Sequence, residues 1–227
     1  MEIRGIWGVF YKISLWLTRI ASVNLLWFLF NLPVAIVVFN MLLASYIGEL
    51  IIFFVLLVIL VPIVTFPATT ALFAVVRRWV LGEDVNIVKG FWEYYKQNYL
   101  DSLKGGLFIT LIWSSMFFYY YILTFNSLEI FTYLFYLLLA ILFVFTIHFF
   151  SITVHFQSRT LTILKNAMFF TVINPILTIE IIVVSGLLIY LSSTYFSFLV
   201  PFFIGSTIAF VSFLGFHRFT SRLKIVD

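Results

Sequence analysis

Residues 20–48 contain no Asp, Glu, Lys or Arg, and neither do residues 50–76, 105–128 and 130–158. Residues 166–216 contain only Glu180. A bilayer core ~30 Å thick is crossed by a helix of ~20 mostly apolar residues. Each run is long enough to cross, and 166–216 is long enough to cross twice. The polar cluster Ser192-Ser193-Thr194-Tyr195 is the natural turn inside it. The chain therefore predicts six spans, at about 20–44, 50–76, 105–125, 130–154, 167–191 and 198–216. A membrane β-barrel needs short segments of alternating polarity. The run Ile51-Ile52-Phe53-Phe54-Val55-Leu56-Leu57 does not alternate. The expected fold class is all-α, a polytopic transmembrane helical bundle.

Composition agrees. Hydrophobic residues make up 64% and charged residues 10%, with a mean hydropathy of +1.18. A soluble domain carries roughly 45–50% apolar and about 25% charged residues. This excludes a water-soluble enzyme, a disordered chain and a nucleic-acid-binding module. The absence of cysteine excludes disulfides and thiolate chemistry.

All 13 basic residues fall in alternate connections. Arg4, Lys12 and Arg19 precede the first span. Arg77, Arg78, Lys89, Lys96 and Lys104 lie between the second and third. Arg159 and Lys165 lie between the fourth and fifth, and Arg218, Arg222 and Lys224 follow the sixth. The other connections carry only Glu49 and Glu129. The positive-inside rule makes the basic side cytoplasmic, with both termini on it, in a cell inner membrane. The same asymmetry explains the pI near 9.3 and favours anionic headgroups as neighbours. Residues 1–19 are amphipathic and read as structure, not as a cleavable signal peptide.

Two basic-side segments read as amphipathic interfacial helices. In residues 1–19, Ile3, Ile6, Trp7, Phe10, Ser14 and Leu17 share a face. In residues 86–103, Val88, Phe91, Trp92, Tyr95, Tyr99 and Leu103 form a stripe, with Lys89, Glu93, Lys96, Gln97 and the adjoining Lys104 facing away. Such helices either lie in the headgroups or pack on the ends of the spans. Trp92, Lys89, Lys96, Arg77 and Arg78 are the candidate partner or lipid contacts. Asn24, Asn98 and Asn174 recur at near-equal intervals, and Ile87-Val88-Lys89 and Ile163-Leu164-Lys165 precede the last two at the same offset. The chain is a single membrane domain, divisible into units 1–80, 81–156 and 157–227, each a basic-side segment plus a hairpin.

Three features are candidates for a ligand or proton site. Glu180 falls near the middle of the expected fifth span, where an acid usually faces the bundle interior. His148, Ser151, His155 and Arg159 share one helical face of the fourth span. Seven residues separate the histidines by ~10.5 Å along the axis, too far to share a metal, so no metal is expected. Pro62 and Pro67 interrupt the second span beside Thr65, Thr69 and Thr70, and Pro33 next to Asn31 is a like interruption of the first. Pro67-Ala68-Thr69-Thr70 either starts a half-helix whose free N–H groups bind an anion or polar ligand, or is a kink repaired by the threonine hydroxyls. No phosphate loop, H-E-x-x-H or G-x-S-x-G occurs. No catalytic residue and no cofactor is expected, and the chain reads as a non-enzyme.

The stretches Val23-Asn24-Leu25-Leu26-Trp27-Phe28-Leu29-Phe30 and Phe66-Pro67-Ala68-Thr69-Thr70-Ala71-Leu72-Phe73-Ala74-Val75-Val76-Arg77-Arg78-Trp79-Val80 carry a resemblance. Gly82-Glu83-Asp84, Phe91-Trp92 and Gly5-Ile6-Trp7-Gly8 extend it. Over roughly residues 1–104 the chain resembles the YesL-like family of bacterial membrane proteins. The resemblance implies an accessory component of carbohydrate metabolism linked with oligosaccharide importers. The implied partners are the permease and ATPase subunits of an ABC importer, besides the lipid bilayer. It supplies no site residues. The alternative function is a transporter or permease subunit that uses the interrupted spans and Glu180.

Overall fold

A computed structural model describes residues 6–125 and 129–223, so Ile3, Arg4 and Lys224 lie outside the described residues. The described residues are helices and their connections, with no strand. Helices α1 (Ile6–Phe30), α2 (Leu32–Leu43), α3 (Ile47–Leu60) and α4 (Phe66–Val80) come first. Then follow α5 (Ile87–Gln97), α6 (Tyr99–Phe125) and α7 (Glu129–His155). The chain continues with α8 (Thr160–Ile173), α9 (Pro175–Thr194) and α10 (Gly205–Leu223). π-helical turns at Val61–Thr65 and Val200–Ile204 lead into α4 and α10. The fold is an all-α polytopic bundle.

Five described stretches are long and apolar enough to cross a membrane: Gly8–Phe30, Ile47–Val80, Phe131–His155, Pro175–Thr194 and Val200–Arg222. The 27-residue α6 contains the expected third span. It runs antiparallel to α7. Gly105 meets Phe149, Trp113 Nε1 donates to Thr146 Oγ1 at 3.2 Å, and Tyr120 meets Phe135.

Two expected spans are redrawn. No boundary separates residues 1–19 from the first span, because α1 passes unbroken from Ile6 to Phe30. The break comes at Asn31 (φ −86°, ψ 1°), inside the expected span. Pro33 lacks the N–H that would reach back to Leu29, and its ring crowds that carbonyl. Asn31 Nδ2 donates to Trp27 O at 2.8 Å and seals the end of α1. The expected fifth span is likewise two helices. Pro175 cannot continue α8 but suits the first position of α9. Asn174 caps α9, its Oδ1 accepting from Leu177 N at 3.2 Å. The last turn falls at residues 195–198, just beyond the expected one.

Residues 86–103 also divide, at Asn98, with 99–103 belonging to α6. Asn98 and Asn174 thus both mark a junction between a short helix and a long one, whereas Asn24 lies inside α1. Helix α5 does pack on its neighbours: Phe91 is buried, and Phe30 meets Phe91, Trp92 and Tyr95 at ring distances of 5.1, 5.8 and 5.0 Å.

The buried core is off-centre. It joins most of α4, the start of α6, the end of α7, parts of α8 and α10, and Val23 of α1. Helices α2 and α3 bury no residue at all. The tight core therefore lies toward the basic ends of the helices, and the opposite ends offer their apolar side chains to lipid.

Candidate functional site

The site starts with the way α4 ends. Gly82 has φ +78°, a conformation that costs a glycine nothing. Gly82 N donates to Trp79 O at 3.1 Å and Glu83 N to Arg78 O at 2.9 Å, the paired bonds of a Schellman cap. The cap turns the chain back on α4. Glu83 pairs with Arg78, and Asp84 pairs with Arg19 of α1 at 2.6 Å. Asn86 then caps α5, its Oδ1 accepting from Lys89 N at 3.1 Å.

Between α4, α5 and the end of α7 this leaves a polar cleft of about 430 Å³. Arg77 and Arg78 line it from α4, Tyr94, Gln97 and Asn98 from the α5 side, and His155 and Gln157 from the α7 side. No carboxylate lines it. Arg78 is committed to Glu83 and lies over the Tyr94 ring at 5.9 Å. Arg77 is partly buried, and its Nε has no hydrogen-bond partner among the described residues. Arg77 and Arg78, the candidate partner or lipid contacts on α4, wall a cleft, because their turn of α4 is covered by α5 and α7.

On the outer face of α5 the charged side chains are exposed, and Val88 and Trp92 of the expected apolar stripe are exposed beside them. Lys96 Nζ lies 4.8 Å from the centre of the Trp92 ring, and Lys89 and Glu93 approach to 4.0 Å on exposed side chains. Tyr95 is partly buried, and that burial pushes its phenol above the ordinary value, with Tyr99 adding to the effect.

The histidines separate. His155 reaches the cleft and meets Phe156, Phe216 and His217 at ring distances of 4.6, 5.4 and 6.3 Å. His148 is wholly enclosed in the core beside Phe170 and lines no part of the cleft. Ser151 bonds back to Ile147 O at 3.3 Å, and Arg159 precedes α8 on the surface. The shared face is real, but only its last turn meets the cleft.

Two sequence candidates are corrected. Pro67 opens no half-helix: backbone angles stay helical through Thr65 and Phe66, so no N–H array is presented. The strain of Pro62 and Pro67 is absorbed by the π turn before α4. Thr69 Oγ1 donates to Thr65 O at 2.7 Å, and Thr70 Oγ1 to Phe66 O at 3.0 Å. Trp27 Nε1 donates to Thr69 Oγ1 at 3.0 Å, and Ser102 Oγ to Thr70 Oγ1 at 2.8 Å. These hydroxyls tie helices together. Glu180 is exposed and lies in the second turn of α9, not at mid-span. Moving the start of α9 to Pro175 shifted its depth, and its face of the helix looks away from the core.

Gln97, Asn98 and Gln157 join the site only in three dimensions. Of the three only Asn98 stands out in the sequence, as one of the recurring asparagines.

Residues 20–120 match the family described as "Protein of unknown function, DUF624". The chain is 28% identical over 221 residues to the uncharacterized protein YteU of Bacillus subtilis (strain 168), covering 92% of this chain and 84% of that one. No solved structure matches. The family match agrees with the YesL-like resemblance, and it takes in the α4 and α5 walls of the cleft while stopping before α7.

Proposed function

We propose that this chain is a non-catalytic accessory or regulatory component of bacterial carbohydrate (oligosaccharide) ABC import. It sits in the inner membrane with both termini in the cytoplasm and docks on the permease and ATPase subunits. One observation carries the reading. An open polar cleft lies at the basic end beside the charged outer face of α5, while the two features expected of a transmembrane path, Pro67 and Glu180, form none. The basic residues support the orientation, and the YesL-like resemblance supports the importer.

The test is purification of the tagged full-length protein in mild detergent at native expression, with mass spectrometry of what accompanies it. Permease and ATPase subunits in fixed proportion are expected, and K89E with K96E reduces them. Recovery of the chain alone, or only as a homo-oligomer, overturns the proposal. Terminal reporter fusions check the orientation, with activity expected only from the reporter that works in the cytoplasm.

A further inference from the structure

We propose that the cleft between α4, α5 and the end of α7 is a binding site for a phosphoryl group, with Arg77 as its charge partner. Charge accounting comes first. Of the two carboxylates in the turn after α4, Glu83 is taken by Arg78 and Asp84 by Arg19. Arg77 forms no ion pair or hydrogen bond through its side chain with any described residue, and its Nε is shut off from solvent. A guanidinium cannot shed its proton to escape burial. Its charge is committed to no carboxylate, so an anion in the cleft gains an unshared charge partner.

Geometry then selects the anion. A carboxylate is planar and is satisfied by a single guanidinium fork. This cleft offers donors from separate elements: Arg77 on α4, the Gln97 amide on α5 and the Gln157 amide beyond α7. Neither glutamine amide has a partner among the described residues. Donors arriving from three sides suit the tetrahedral oxygens of a phosphate mono- or diester. The volume of about 430 Å³ exceeds what a bare phosphate fills and falls in the range of ligand pockets, ~300–1,000 Å³. A headgroup of an anionic lipid and a small soluble phosphate ester share this chemistry. The site stands whether or not the protein docks on an importer.

The experiment uses the full-length protein, delipidated in maltoside. One arm follows phosphatidylglycerol binding by native mass spectrometry, with diacylglycerol as the phosphate-free control. The other follows thermal shifts with glycerol 3-phosphate and inorganic phosphate against chloride at equal ionic strength. At least one arm is expected to show saturable binding, weakened tenfold or more by R77Q, partly restored by R77K and untouched by R159Q. A response in the first arm alone identifies a lipid headgroup, and one in the second a soluble ester. Gln97 and Gln157 are exposed, so Q97A with Q157A keeps the fold and is expected to weaken binding several-fold. Binding in neither arm overturns the proposal. So does binding that R77Q, or the paired glutamine variant if R77Q does not fold, leaves unchanged.

Discussion

Asn24 on α1 accepts a hydrogen bond from the backbone N–H of Ser206 at 2.8 Å, across 182 positions of chain. Its Nδ2 donates to Val200 O at 3.0 Å. One amide thus satisfies two backbone groups that the π turn before α10 leaves over. Asn24 is fully enclosed, so no solvent replaces it. N24A strands both groups, at ~1–3 kcal/mol each. A drop in detergent melting temperature of many degrees is expected. N40A, an exposed asparagine bonded only to its own helix, is expected to change little.

Gly82 predicts a purely backbone effect. A Cβ there meets nothing within 4 Å, but φ is +78°. G82A is expected to destabilise by ~1–2 kcal/mol through left-handed strain alone. G82N should recover part of that loss, because asparagine tolerates this region. Thermal unfolding of the three proteins side by side checks the order.

Gly105 predicts a steric one. A Cβ there would come 2.3 Å from Phe149 Cε2 and Cζ, where α6 crosses α7. G105A is expected to cost ~1–3 kcal/mol by overpacking. Shrinking the partner with F149L should rescue it, giving a coupling that a double-mutant cycle reads directly.

Glu180 predicts an absence of effect. An exposed carboxylate in the second turn of α9 has no buried proton path to serve. E180Q is expected to leave stability within ~0.5 kcal/mol and, if the proposed importer role holds, sugar uptake with its pH dependence intact. An altered pH profile would restore the transport alternative.

The apolar runs made most of the bundle legible. α7 runs from Glu129 to His155, almost as hydropathy marked it, because polar residues bound an uninterrupted apolar run. Pro33 beside Asn31 signals the break in the first span, but it lies inside a charge-free run, so hydropathy alone draws one span there. Asn174-Pro175 was visible turn chemistry hidden by the demand for two long spans. Glu180 was misplaced for a related reason. α9 is apolar all round, so its 3.6-residue period does not separate inside from outside. The cleft was the least legible part. Arg77, Gln97 and Gln157 come from three separate helical regions, and only the packing of α5 and α7 over α4 brings them together.

The contribution of α10 to the core governs how the protein is made. Ala209, Phe213 and Phe216 are wholly enclosed, and Gly205 lies against Leu72 of α4 closely enough that a Cβ would come within 3.3 Å of its Cδ2. During synthesis α1 and α4 leave the ribosome long before these partners exist. For most of translation the half-built core must be sheltered by lipid or an insertion factor. A chain stalled before α10 is therefore a substrate for membrane quality control, even with most of its spans already inserted.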